Sequence, residues 1–241
     1  DTELRAKGGG LIVRHGKATD IIPLLAKELG VHAVFTNKDY EPAAIERDRV
    51  VALALEQSDI AFHSYKDHVI FEHQEVLTGQ GGVFSVFTPY KNAWLKKLKI
   101  KDIDPHAVDL DNGKFATIPK SLDMPCPSLE SMGFEPTELQ SYLPTGMSGA
   151  SQLFEEFLSR MDHYHATRDY PSVKGPSYLS VHSRFGTISI RALVREAHQR
   201  MLAGSMGATI WLSELIWRDF YFMILSNHPR LAPNSKKSLI V

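Results

Sequence analysis

The stretch from residue 208 to 226 constrains this chain more than any other. Its apolar residues (Ile210, Trp211, Leu212, Leu215, Ile216, Trp217, Phe220, Phe222, Met223, Ile224, Leu225) fall on every side of a helix, and Pro229 ends it. A helix with no wet face must be wrapped by other elements, so it belongs inside a sizeable α-domain. Glu214, Arg218 and Asp219 interrupt the run, so it is not a bilayer span. Two further helices are predicted nearby, one over 152–161 and one over 190–202 with Ser189 as N-cap and Gly204 after its end. Two are too few to cover a fully apolar helix, which predicts more helical sequence beyond Val241.

Residues 1–100 have a different rhythm. Runs at 11–15, 31–36, 59–65 and 68–71 are strand-like, and helices are predicted over 20–29 and 42–57. Pro23 is expected in the first turn of the former, and Gly30 suits its left-handed end. Strand, helix, strand, helix, strand with short connections predicts a parallel α/β sheet, Rossmann-like in form. Two crossovers are few for such a sheet, so a strand is expected before Asp1. Residues 101–150 hold six of the thirteen prolines (Pro105, Pro119, Pro125, Pro127, Pro136, Pro144), which predicts an extended linker with at most short helical turns. The expected organisation is therefore an α/β domain at 1–100, a linker at 101–150 and the beginning of an all-α domain at 151–241.

The charges follow this division. Overall the net charge is -1, but 101–150 carries 3 basic and 8 acidic side chains while 151–241 carries 11 and 7. A polyanionic partner is thus compatible with the last segment and not with the middle one. The single cysteine, Cys126, excludes an internal disulfide and fits a reducing compartment. Together with the absence of a signal-peptide pattern it predicts cytoplasmic residence. No Cys/His cluster has zinc spacing, so no metal is expected.

Candidate chemistry concentrates in the last segment. Trp211, Glu214, Leu215, Arg218 and Phe222 share one face of the long helix. Glu214 and Arg218 stand at an i, i+4 spacing that suits an ion pair, so one reading is a pair that satisfies itself. The other reading is a polar cavity with Trp211 and Trp217 as flat walls. Upstream, Gly175-Pro176-Ser177-Tyr178-Leu179-Ser180 places hydroxyls and backbone N–H groups where phosphate oxygens could be received, although such clusters are also ordinary turns. Arg168 could meet a phosphate or cap a helix end. Gly79-Gln80-Gly81-Gly82 lacks the strand–helix context of a dinucleotide fingerprint.

Taken in order, these blocks are specific. Val86-Phe87-Thr88-Pro89-Tyr90-Lys91-Asn92-Ala93-Trp94, then Ser177 to Ser180, then Arg184-Phe185-Gly186 to Ser189 and Arg191, then Trp211 to Tyr221 resemble the DNA photolyase/cryptochrome family. Bacterial-type cyclobutane pyrimidine dimer photolyases are the nearest likeness. Tyr40-Glu41-Pro42 and Arg47-Asp48-Arg49 resemble a helix of that family's α/β domain. The resemblance covers nearly the whole chain, without the family's first strand and without the C-terminal part of its FAD domain.

The resemblance implies an α/β antenna domain joined by a long linker to an all-helical domain that holds FAD. Tyr164 would contact FAD, and Pro176, Ser177, Tyr178, Leu179 and Ser180 would surround its phosphates. Trp211, Glu214 and Arg218 would line the flavin cavity. Arg168 would meet the DNA backbone, while Glu214 and Trp217 would face a flipped pyrimidine dimer as hydrogen-bond partner and stacking platform. The implied activity is that of a deoxyribodipyrimidine photo-lyase, a carbon–carbon lyase acting as a monomer on damaged DNA and on no membrane. Light-excited reduced FAD would pass an electron to the dimer and recover it after ring opening, with the present chain inactive alone. The alternative is a cryptochrome-type blue-light receptor without repair activity; a plain nucleotide-binding module gains little from the motif order. Pro176 and Tyr178 replace the Thr and Arg usual in the family's phosphate loop. Ala43-Ala44 stand where the folate-type antenna site carries Asn-Glu, so the resemblance leaves the antenna chromophore open.

Overall fold

The computed structural model describes residues 1–231 except 107, 110 and 112, so the apolar tail at 238–241 lies outside the described residues. A short helix α1 (Thr2–Ala6) precedes α2 (Ala18–Leu29), and Gly30 ends α2 in the left-handed region at φ 61°. Because α2 begins at Ala18, Pro23 sits in its second turn rather than its first. The Thr19 carbonyl consequently lacks an intrahelical N–H four residues on.

Strands β1 (Ala33–Asn37) and β2 (Ala61–Tyr65) pair in parallel, from Ala33 opposite Ala61 to Asn37 opposite Tyr65. Helix α3 (Pro42–Glu56), with proline in its first turn, is the crossover between them. Side chains alternate across the pair. Val34 and Phe62 pack on Ala26, Val51, Leu55 and Ile60, while Phe35 and Tyr65 stand exposed on the other face.

Two expected strands do not join this sheet. Residues 11–15 form no ladder with the two strands. The Leu11 N–H donates to Asp1 Oδ1, and the Arg14 guanidinium donates to the Leu122 carbonyl. Next to this run the backbone lies hard against the linker: a Cβ on Gly9 would stand 2.8 Å from Phe115 Cβ. Residues 68–71 form a buried loop. The N–H groups of Ile70 and Phe71 donate to the carboxylate of Asp219 at 3.1 and 3.2 Å rather than to a strand.

The rest is helical: α4 (Phe87–Lys97), α5 (Leu139–Tyr142), α6 (Gly146–Leu158), α7 (Tyr164–Thr167), α8 (Ser180–Phe185), α9 (Ile190–Leu202) and α10 (Met206–Asn227). The stretch before α6 is extended with short 3-10 turns at Ile100–Asp102 and Glu130–Met132. Helix α6 starts six residues earlier than the periodicity predicts, and neither α4 nor α8 is anticipated by it. Ser205 caps α10, its Oγ accepting from the Ala208 N–H at 3.2 Å. Ser189 stands at the N-cap of α9 without a side-chain capping bond.

Helix α10 is the axis of the main core. Trp211, Leu212, Leu215, Ile216, Phe220 and Met223 are buried against Leu193, Val194 and Ala197 of α9 and Leu153 and Phe157 of α6. Tyr90 and Trp94 of α4 and Ile70 and Phe71 of the loop close the same core from the sheet side. Gly207 makes room for the carbonyls of Met161 and Asp162, which lie where a β-carbon would be.

Candidate functional site

Asp219 is the most buried charge in this core, 1% exposed. One oxygen, Oδ2, accepts from the Ile70 and Phe71 N–H groups and from the Trp94 indole N–H at 3.0 Å. The other, Oδ1, is buried with no hydrogen-bond partner. Burial pushes this carboxyl up to about 6, against the pull of its N–H donors and of Arg218. Asp219 thus ties α10, α4 and the loop after β2 into one unit.

Its neighbour Arg218 grips the same loop by the opposite polarity. Nη1 donates to the His68 carbonyl and Nη2 to the Ser183 carbonyl, and the guanidinium lies 4.8 Å above the Phe222 ring. His68 sits edge-on to Phe222 at 5.1 Å, and its Nδ1 is buried without a partner. Burial, with the charge of Arg218, lowers the His68 pKa and keeps the ring neutral.

These groups form one wall of a cleft of about 410 Å³. Trp211, Glu214, Leu215, Arg218 and Phe222 project from α10 at the spacing read from the sequence. Tyr164, Ser177, Leu179 and Ser180 face them. The structure therefore brings together Tyr164, Ser177, Leu179, Ser180, Trp211, Glu214 and Arg218. Trp211 is buried, its ring 4.7 Å from Phe157. Burial pushes the Tyr164 phenol up.

Other residues expected at the site stand outside this cleft or take other partners. Pro176 and Tyr178 do not line the cleft. The Pro176 carbonyl accepts from Arg160 at 2.9 Å, and Tyr178 adopts φ 59° and is 44% exposed. Trp217 does not line it either: its ring stacks on Phe87 at 3.6 Å and 9°, with Tyr221 5.4 Å away. Glu214 and Arg218 do not pair, since Arg218 is committed to carbonyls. Glu214 instead meets Arg168 Nη1 at 2.6 Å, and the Arg168 guanidinium lies 5.4 Å above the Tyr164 ring. This pairing makes Arg168 hold its proton more tightly.

Sequence reasoning missed His68, Ser183, Arg184 and Leu193 in the cleft. The long helix's face already contained Phe222, but nothing in the scattered histidines marked His68. Beyond His68, Ser183 and Arg218 opens a second cavity of about 840 Å³, reaching the strand ends at Asn37 and Tyr65 and the start of α9. No group of three His, Cys, Asp or Glu among the described residues could hold a metal ion.

The cleft's donor set suits a flat, phosphorylated ligand. It pairs an indole wall with serine hydroxyls and the Arg218 guanidinium, which donates to the His68 and Ser183 carbonyls. Comparison with known proteins agrees in kind. The DNA photolyase family model matches residues 1–109. A deoxyribodipyrimidine photo-lyase of Synechococcus sp. (strain ATCC 27144) is 30% identical over 245 residues, 96% of this chain and 49% of that protein. An uncharacterized 31.6 kDa protein of Synechococcus sp. (strain PCC 6716) is 32% identical, covering 89% of this chain and 76% of that one. A class III photolyase from Agrobacterium tumefaciens superposes with a TM-score of 0.78 at 26% identity, over 95% of this chain and 48% of that one. An archaeal photolyase from Sulfolobus tokodaii, solved with two FAD molecules, does so at 0.68 and 25%, over 95% and 46%. The chain spans about half the length of the curated photo-lyases it matches. With this match in sequence, in fold and in the order of its motifs, the chain belongs to the DNA photolyase family.

Proposed function

We propose that the cleft takes FAD and that the protein repairs cyclobutane pyrimidine dimers in DNA under blue light. The observation that carries this is the convergence of Ser177 with Trp211 and Arg218, from two separate sequence blocks, on one cleft. Ser177 and Ser180 would donate to the phosphates, and Arg218 would supply positive charge in a poorly hydrated wall, where it acts strongly. Trp211, Tyr164 and Leu179 would keep water out. Bound in reduced form, FAD supplies the photoexcited electron that opens the cyclobutane ring. The protein's share is to bind, orient and shield.

Glu214 would accept a hydrogen bond from the extruded base edge, and Arg168 would hold a backbone phosphate. Extrusion is needed because the reacting bonds lie inside the stack. The excess of basic side chains in 151–241 favours such a strand. The reading includes the division at 1–100, 101–150 and 151–241, a monomeric state and cytoplasmic residence. No described helix is long and apolar enough to cross a membrane. Ala43 and Ala44, in the first turn of α3, present only methyl groups, so no folate-type antenna is assigned there.

A second reading, a photoreceptor of the cryptochrome branch, is favoured by one observation: the Trp217 face expected to stack on the dimer is covered by Phe87. One experiment separates the two. The protein is loaded with reduced FAD, illuminated with dimer-containing DNA, and assayed for thymine recovery. Light-dependent recovery supports repair. Bound, photoreducible flavin without recovery moves the assignment to signalling.

A further inference from the structure

Arg168 and Glu214 are both wanted elsewhere. On the repair reading, one is to hold a backbone phosphate and the other a base edge, yet in this structure each holds the other at 2.6 Å. The pair is a charge-assisted hydrogen bond, with side chains 32% and 37% exposed, so it lies where a strand could reach it. No alternative cation competes for Glu214 on its own helix. Arg218, one turn on, donates to the carbonyls of His68 and Ser183. Arg168 is steadied over the Tyr164 ring, while its other carboxylate contact, Asp169, is longer at 3.5 Å and 81% exposed.

We infer that Arg168 is the positioning residue for Glu214: the ion pair holds the carboxylate at the cleft rim until a nucleic-acid phosphate takes the guanidinium and releases it. The inference rests on the reading of the cleft as a DNA-damage site. The exchange replaces one charge-assisted bond of arginine by another, so its free-energy cost is small and a weakly bound strand suffices to drive it. It also makes the base contact conditional. Glu214 becomes free to accept from a base where a backbone is already engaged.

The test is a double-mutant cycle on the protein, with Arg168→Gln, Glu214→Gln and both together. Affinity is measured for an undamaged single strand and for the same strand carrying a dimer, over a range of salt. If the pair is a latch, Glu214→Gln frees Arg168 and tightens undamaged-strand binding about 3- to 10-fold. In the Arg168→Gln background the same change has no effect, and Arg168→Gln alone lowers the salt slope by about 1. An equal effect of Glu214→Gln in both backgrounds shows simple repulsion of the strand and overturns the inference. Arg168→Lys is the second variant should the glutamine protein fold poorly. It keeps the charge and is expected to keep part of the coupling; complete loss of its salt slope contribution would count against a phosphate contact. Absence of any preference for the dimer-containing strand would remove the repair reading while leaving the coupling on undamaged DNA to be judged by itself.

Discussion

Replacing Asp219 by alanine should destabilise the protein by an amount that depends on pH. Among the described residues the Asp219 side chain is the one acceptor for the indole N–H of Trp94, and it serves the N–H groups of Ile70 and Phe71. Each of the three buried donors left without an acceptor costs about 1–3 kcal/mol, which sets the loss at about 3–9 kcal/mol before any compensation. The compensation is the carboxylate's own burial. Its pKa rises from 3.8 to about 6, so the unfolded chain ionises more readily than the folded one. Stability contributed by the protonated group is complete below pH 3.8 and is lost as pH rises to about 6, a difference of about 3 kcal/mol. Asp219→Ala should therefore cost about 5 kcal/mol at pH 4 and about 2 kcal/mol at pH 7.5. Urea unfolding of both proteins at the two pH values, compared as differences, cancels the titration of every other group. An equal cost at both values would refute the desolvated carboxylate, and a variant as stable as wild type at pH 4 would refute the hydrogen-bond anchor.

Three other expectations follow from packing and charge. Gly207→Ala forces a methyl onto the Met161 and Asp162 carbonyls and should cost about 3 kcal/mol, read from thermal melting; a neutral result would mean that α10 starts farther from that turn. Trp217→Ala removes a ring stacked between Phe87 and Tyr221 and should lower stability by about 2–4 kcal/mol. Full stability combined with loss of dimer-specific DNA binding would instead restore the stacking-platform role. Arg218→Gln removes the charge from the cleft wall and should weaken FAD binding about 10-fold in fluorescence titration, with unchanged affinity sinking the assignment of that residue.

What the sequence discloses, and what it hides, follows from the range of the interactions involved. The central helix, the crossover helix with its leading proline and the two paired strands are all local patterns, and each is present near its expected place. So is the shared face of Trp211, Glu214, Arg218 and Phe222, because helical spacing alone determines it. The errors involve polar groups whose partners are distant in sequence. The i, i+4 spacing of Glu214 and Arg218 suggested a pair, but carbonyls at His68 and Ser183 claim the guanidinium, and Arg168, 46 residues upstream, claims the carboxylate. Likewise 68–71 has a strand's composition, and nothing within it announces that a carboxylate 149 residues away will take its N–H groups. Helix α4 was hidden for a related reason: its buried residues Tyr90 and Trp94 are four apart, too few to establish a period.

The adjacent pair Arg218 and Asp219 explains why cleft and sheet are held in one geometry. Consecutive helical residues point about 100° apart, so the two side chains leave α10 in different directions. Yet both reach the loop after β2, Arg218 at the carbonyl of His68 and Asp219 at the N–H groups of Ile70 and Phe71. A loop held at a carbonyl by a cation and at N–H groups by an anion cannot slide along the helix without breaking one contact or the other. Its position then fixes His68, which walls both the cleft and the larger cavity beyond it. The buried charges thus give up some stability for register: ionising the buried Asp219 carboxyl weakens its contribution at neutral pH, and what it secures is the placement of the cleft's one imidazole beside its one guanidinium from α10. On this account an insertion that keeps Asp219 but lengthens the 68–71 loop by one residue should leave the helical core intact and enlarge the cleft, seen as faster quenching of Trp211 by a neutral solute. Unchanged quenching would show that His68 is held by its contact with Phe222 instead.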